Sequence, residues 1–249
     1  MADKSWYIDW FNSPYYHKLY FERDEREAED FIARLINHLN PGQGSKILDV
    51  ACGLGRHSLT LSNLGFIVTG IDLSAQSIKQ AKVYESKSLE FFQHDMRQPF
   101  RVNYYDYAFN FFTSFGYFNH KREHDAAIRT LARSVHLNGT IVIDYLNVHY
   151  AEDHQVHESD IEVDDYNFHI TKWMDEYHFY KKIEVEHDSF TEPHIFTEKV
   201  AKFSLGDFTD MLAYQGMQIR EVFGDYNLGP YHVRKTPRMI MIAKKIKPF

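Results

Sequence analysis

The chain is expected to form an α/β fold: a doubly wound, mostly parallel seven-stranded sheet with an antiparallel β insertion. Three features of the sequence lead there. From Lys46 onward, short apolar runs alternate with helical stretches. Between 151 and 205 that rhythm gives way to period-two alternation, and from Gly206 it returns. The 249 residues, 44 % hydrophobic and 25 % charged, are enough to bury one substantial core.

The first forty residues read as helical. Ser13-Pro14 is a helix start, with Tyr16, Leu19 and Tyr20 following at helical spacing. A second helix runs from Asp24 to His38 with Phe31, Ile32, Leu35 and Ile36 on one stripe, and Asn40-Pro41-Gly42 breaks it. Ile47–Val50 is a buried strand, followed by the glycine turn Cys52-Gly53-Leu54-Gly55 and a helix through Leu64. Phe66–Ile71 is the second strand, and Ser74 caps a helix reaching Tyr84. Leu89–Phe92 and Tyr105–Phe111 are the third and fourth strands. A helix over 122–135 ends at Asn138-Gly139, before a fifth strand from Thr140 to Tyr145. Past the insertion, Asp207 caps a helix to Gln215, and Met217–Val222 and Met239–Ala243 are the last strands. Alternation of this kind gives a parallel sheet covered by helices on both faces, with ligands beyond the carboxyl ends of its strands.

Residues 1–150 and 206–249 then form one α/β unit with an N-terminal helical cap. Residues 151–205 form an insert of three or four antiparallel strands that serves as a lid, a dimerisation surface or both. Positions 151–200 hold 14 acidic and 4 basic residues, net −10, so the remainder carries +3. The plain account of that charge is a solvated sheet face; the sharper one is attraction of a cationic substrate. The overall charge of −7, with no Lys/Arg-rich run, argues against a nucleic acid partner. The single Cys52 excludes an intramolecular disulfide and fits a reducing compartment. No apolar run approaches the ~18 residues of a membrane span. A cytoplasmic monomer or homodimer is expected. Phe, Tyr and Trp make 16 % of the chain, which serves either an aromatic core or a large pocket.

The chemistry concentrates in Leu48-Asp49-Val50-Ala51-Cys52-Gly53-Leu54-Gly55 and Gly70-Ile71-Asp72-Leu73-Ser74. Glycines 53 and 55 let the backbone turn and approach a ligand, and Asp72 at the second strand end can accept both hydroxyls of a ribose. A dinucleotide fits poorly. Ser58 stands where its fingerprint needs a third glycine, and Asp49 would repel a pyrophosphate. A ligand with a cationic amine, a ribose, an adenine and no phosphate fits better, as S-adenosylmethionine does. Asp95-Met96 follows the third strand, where a carboxylate can accept from the adenine amino group and a thioether can pack on the ring.

At these residues the chain resembles the class I S-adenosylmethionine-dependent methyltransferases, over about 12–145 and 206–245. It is similar in particular to their small-molecule branch, which includes amino-sugar N,N-dimethyltransferases and glycine N-methyltransferase-like enzymes. Tyr16 and Tyr20, the stretch Phe112-Thr113-Ser114-Phe115-Gly116-Tyr117-Phe118 and the antiparallel insert carry that closer likeness. The resemblance implies a Rossmann-like fold and S-adenosylmethionine as cofactor, bound by Asp49, Ala51, Gly53, Gly55, Asp72, Leu73, Asp95 and Met96. It also implies Tyr16 and Arg23 as contacts to the cofactor carboxylate. Tyr16 has an alternative as core, Arg23 as a solvated charge, and Phe111 as sheet core in place of an adenine wall. Cys52 is a small packed residue.

Methyl transfer from a sulfonium is an in-line displacement, so the protein aligns donor and acceptor and excludes water. The favoured acceptor is a small-molecule amine. Tyr117 is the first choice for orienting it, among Asn119, His120, Asp144, Tyr145 and Asn147 near the ends of the fourth and fifth strands. Tyr231, His232 and Arg238 in the last connection can edge the pocket, and Tyr166, Trp173 and Tyr177 of the insert can receive a cation. No metal is expected, because His154-x-x-His157 finds no further ligand by spacing. After the fourth strand the chain reads Asn110-Phe111-Phe112-Thr113, not the Asn/Asp-Pro-Pro-Tyr usual in enzymes that methylate bases or amides. Two other classes stay open: a non-catalytic protein that binds the cofactor or a partner, and an aminopropyltransferase.

Overall fold

The computed structural model describes residues 6–21 and 25–248. Its main sheet has seven strands: β1 (Lys46–Val50), β2 (Ile67–Asp72), β3 (Leu89–Gln93), β4 (Tyr105–Asn110), β5 (Val135–Leu146), β10 (Met217–Phe223) and β11 (Arg238–Lys245). They lie in the order β10-β11-β5-β4-β1-β2-β3. The five from β3 to β5 are parallel, and β11 runs antiparallel to both β5 and β10. The chain moves outward from β1 to β3 and then restarts on the other side of β1 with β4. The switch point between β1 and β4 is where such sheets bind ligands.

The strands are apolar on both faces because helices cover both. Leu48, Val50, Ile71, Ala108, Ile141 and Ile143 face α6 (Lys121–Ser134) and α8 (Leu205–Tyr214). Ile47, Val68, Phe91, Phe109 and Val142 face α3 (Glu25–Leu39), α4 (Arg56–Asn63) and α5 (Ala75–Ala81). Odd and even positions part cleanly, as a period of two requires.

A second sheet of four antiparallel strands lies between β5 and α8: β6 (Glu158–Val163), β7 (Tyr166–Met174), β8 (His178–Glu186) and β9 (His194–Ala201). Phe168, Ile170, Ile183 and Val185 on its inner face pack against Trp10 and Leu19 of α1 (Trp6–Phe11) and α2 (Pro14–Phe21). The carboxylate of Glu198 joins the two parts, accepting from Trp10 Nε1 at 2.8 Å and from the Tyr20 hydroxyl at 2.7 Å. The outward face carries His169 between Asp160 and Glu186, and Trp173 stacked on Tyr180 at 5.2 Å. Tyr177 is also exposed. Trp173 therefore faces away from the cap, and Tyr177 stands in the turn between β7 and β8. Among the described residues no helix is long and apolar enough to cross a membrane.

Three local expectations need correcting. The fifth strand begins at Val135, directly after α6, and Asn138-Gly139 is a bulge inside it with Asn138 at φ 67°. Ser204, not Asp207, is the N-cap of α8; Asp207 sits at the third position and accepts from the Ser204 N–H at 2.8 Å. The helix capped by Ser74 ends at Ala81, with one 3-10 turn to Tyr84. A short helix, α7 (Val148–Asp153), had no signal that set it apart from the strand before it.

Candidate functional site

The segment leaving β1 adopts left-handed backbone three times in five residues: Ala51 at φ 62°, Gly53 at 54° and Gly55 at 78°. Gly55 begins α4, and a Cβ there would stand 2.5 Å from the Phe91 ring, so glycine lets α4 pack directly on β3. Nothing lies within 4 Å of a Cβ built on Gly53, which leaves that backbone open to a ligand. Asp72 fixes the turn. Its Oδ2 accepts from the Gly53 N–H at 2.9 Å and its Oδ1 from the Ser74 N–H at 2.8 Å. It is therefore a clamp on the glycine turn as well as a strand-end carboxylate, with lone pairs left for further donors.

Asp49 is 2 % exposed and accepts from the Ser58 hydroxyl at 2.6 Å. Burial pushes its pKa up to about 6, with the Asp72 charge adding to that and Ser58 opposing it. Burial raises Asp72 as well. No Lys or Arg among the described residues pairs with either carboxylate. Two neighbouring carboxyls held up in this way favour a cationic ligand. Cys52 lies between them with its thiol pushed well up by burial and by both carboxylates, which makes it a poor nucleophile.

Leu73 is half-buried against the face covered by α6. At the end of β3, Asp95 is taken up by Arg97, which donates to it from its backbone N–H at 2.9 Å and from its guanidinium at 2.6 Å. Burial acts to raise the Asp95 carboxyl, yet Arg97 holds it below its usual range. Met96 lines a small apolar cavity with Ile71, Phe100 and Leu131, and its carbonyl accepts from the Thr130 hydroxyl. Phe111 is 4 % exposed, its ring 5.4 Å from Phe31 and 5.1 Å from Phe109, which places it in the core on the α3 side.

The Ser74 hydroxyl donates to Asn12 Oδ1 at 2.7 Å, which sets the α1–α2 turn over the carboxyl end of β2. From there a row of rings reaches the loop after β4: Tyr16 to Phe11 at 5.0 Å and Phe11 to Tyr117 at 5.3 Å, with Trp6 5.7 Å from Tyr117. The fold thus brings Tyr16 and Tyr117 to the same edge as Asp49, Ala51, Gly53, Gly55, Asp72 and Leu73. Arg23 lies outside the described residues. Of the other candidates, His154 stacks on Tyr150 at 4.0 Å, and no cluster of metal-ligating side chains occurs among the described residues.

Asp144 and Arg238, named above only as separate candidates, form a buried ion pair at 2.7 Å at the ends of β5 and β11. A lone Asp ending the run Ile141-Val142-Ile143 was the signal; its partner 94 residues away carried none. Asn147 Nδ2 donates to the carbonyls of His232 at 3.1 Å and Thr236 at 2.7 Å, tying down the β10–β11 connection.

Comparison with known proteins bears on this geometry. Residues 41–186 match a family described as "Methyltransferase domain". A protein of Geobacillus sp. strain WCH70, provisionally named a methyltransferase, is 28 % identical over 143 residues, covering 56 % of this chain and 58 % of that protein. Shorter matches to other curated relatives span about a fifth of their length. The fold is shared with an S-adenosylmethionine-dependent methyltransferase from Clostridium acetobutylicum, at TM-score 0.75 and 16 % identity over 92 % of this chain and 95 % of that one. It is shared also with CalS10, an amino pentose methyltransferase from Micromonospora echinaspora, at TM-score 0.68 and 16 % identity over 94 % and 97 %.

Proposed function

Because this chain belongs to the methyltransferase-domain family, we propose that it is an S-adenosylmethionine-dependent methyltransferase acting on a small-molecule amine. The observation that carries the reading is the left-handed turn Ala51–Gly55, open above Gly53 and flanked by the buried Asp49 and the half-buried Asp72, neither with a cationic partner among the described residues. When bound, S-adenosylmethionine supplies a methyl group on a sulfonium. Asp72 accepts the ribose hydroxyls with the lone pairs that Gly53 and Ser74 leave. Asp49 draws the ammonium, the backbone of Ala51, Gly53, Gly55 and Leu73 lies along the ligand, and Asp95 and Met96 border the adenine, while Phe111 stays in the core on the α3 side. Tyr16 contacts the cofactor carboxylate, and Arg23, outside the described residues, is proposed for the same contact from the sequence resemblance alone.

Tyr117 orients the acceptor, since its ring is held by edge contacts with Trp6 and Phe11 in the loop that follows β4. An amine attacks as the neutral base, and a hydroxyl oxygen that accepts from its N–H leaves the lone pair free and aimed at the methyl group. The amine preference draws on the amino pentose substrate class of CalS10, and the 151–205 insert acts as a lid that retains a cation. Titration calorimetry with S-adenosylmethionine and its demethylated product tests the cofactor, and absence of binding by both refutes the reading. A methyl-transfer screen of amines, hydroxy acids and phenols tests the acceptor. On the best amine, Tyr117→Phe should lower kcat about tenfold with cofactor affinity unchanged, the loss of one hydrogen bond.

A further inference from the structure

We propose that Asp144 and Arg238 are positioning residues: together they hold Phe112 and Thr113 in left-handed backbone and so set the wall against which the acceptor is aligned. The proposal rests on the methyltransferase reading above. Phe112 and Thr113 follow β4 at φ 56° and 57°, a conformation that bulky and β-branched residues seldom adopt and that persists only where the surroundings impose it. Here the imposing group is a single residue. The Phe112 N–H donates to Asp144 Oδ2 at 2.7 Å, and the Thr113 N–H donates to the Asp144 carbonyl at 3.0 Å.

Arg238 completes the clamp. Its Nε and Nη2 donate to Asp144 Oδ1 at 2.9 and 2.7 Å, and Nη2 also donates to Thr113 Oγ1 at 2.9 Å. The Tyr226 hydroxyl donates to Asp144 Oδ2 at 3.1 Å, which joins the connection between β10 and β11 to the same carboxylate. Asp144 is fully buried and accepts four hydrogen bonds through its two oxygens, about as many as a carboxylate can take. No lone pair is left for an acceptor's proton, so Asp144 acts through the backbone it holds and not as a base. The Phe112 ring is set stacked on His57 at 4.9 Å, and the chain is sent on to Tyr117.

The test compares Arg238→Met, Arg238→Lys and Thr113→Val with the wild-type protein. Thr113→Val removes only the bond to Nη2, should the buried pair prove necessary for folding. Amide hydrogen exchange at Phe112 and Thr113 should speed up at least tenfold in Arg238→Met. On the best amine of the screen, kcat should fall tenfold or more, while affinity for the demethylated cofactor product stays within twofold. Arg238→Lys should recover part of the turnover, and Thr113→Val should lose less than Arg238→Met. A merely structural pair would lower melting temperature and leave turnover per folded molecule unchanged. That outcome, or unchanged exchange at both amides, overturns the proposal alone. Wild-type protein that methylates nothing in the screen removes the reading and the proposal together.

Discussion

Replacing Asp49 by Asn should make the protein more stable at neutral pH and less able to bind its cofactor. Asp49 is 2 % exposed, and burial lifts its pKa from the ordinary 3.8 to about 6. Between about pH 4 and pH 6 the unfolded chain has released a proton that the folded protein still holds. Stability therefore falls as pH rises through that window and levels off above it. Each pKa unit is worth 1.36 kcal/mol, so the full loss is about 3 kcal/mol. Asn has the same shape, still accepts from Ser58 through its carbonyl oxygen and has nothing to ionise. The variant should match the wild type near pH 4 and exceed it by up to about 3 kcal/mol at pH 7, about 6–12 °C in melting temperature for a chain of this size. It should also bind S-adenosylmethionine about ten- to hundredfold more weakly, because a neutral amide does not attract an ammonium as a carboxylate does. Urea unfolding of both proteins from pH 4 to 8 measures the first effect, and calorimetry measures the second. Parallel stability curves across that range would refute the reasoning.

Three further changes have defined outcomes. Ala51→Gly removes the strain of an L-residue at φ 62°, offset in part by glycine's freer unfolded chain, and should raise the melting temperature by about 1–4 °C in a calorimetric scan. Asp72→Ala should weaken cofactor binding about ten- to hundredfold and also lower thermal stability, because the Gly53 and Ser74 N–H groups lose their acceptor; an unchanged melt would show that the turn holds without it. Glu198→Ala leaves Trp10 Nε1 and the Tyr20 hydroxyl without their shared acceptor, at a cost of about 2 kcal/mol, and limited proteolysis should then cut within 6–21 faster than in the wild type.

The main sheet was legible because its signals are local. An apolar strand, a glycine turn and an amphipathic helix each span a few residues, and Ile47–Val50 through Gly55 shows on its own that a strand ends in a tight turn there. What the sequence left undetermined depends on partners far along the chain. Asp72 reads as a free strand-end carboxylate until the fold brings the Gly53 N–H against it. Asp95 reads as open until Arg97 closes on it, and a two-residue spacing alone does not say which way that side chain turns. Asn138-Gly139 carries the composition of a turn and so predicts a strand starting only at Thr140, whereas one left-handed residue makes a bulge inside Val135–Leu146. Trp173 suits either face of a sheet by its chemistry, and only strand register, opposite Tyr180, assigns it outward.

The contact between Trp10 and Glu198 joins positions 188 residues apart. At ordinary rates of polypeptide synthesis, on the order of 10–40 s separates the emergence of one from that of the other. During that interval α1 and α2 lack the second sheet, and Trp10 and Leu19 are without Phe168, Ile170, Ile183 and Val185, against which they are buried. Contacts of such long range form late, since closing so large a loop is opposed by chain entropy until the rest of the structure holds its ends together. The five parallel strands need only residues 46–146 and can pair within that time. The cap's contact with the second sheet thus closes last, although the cap precedes both sheets in the chain.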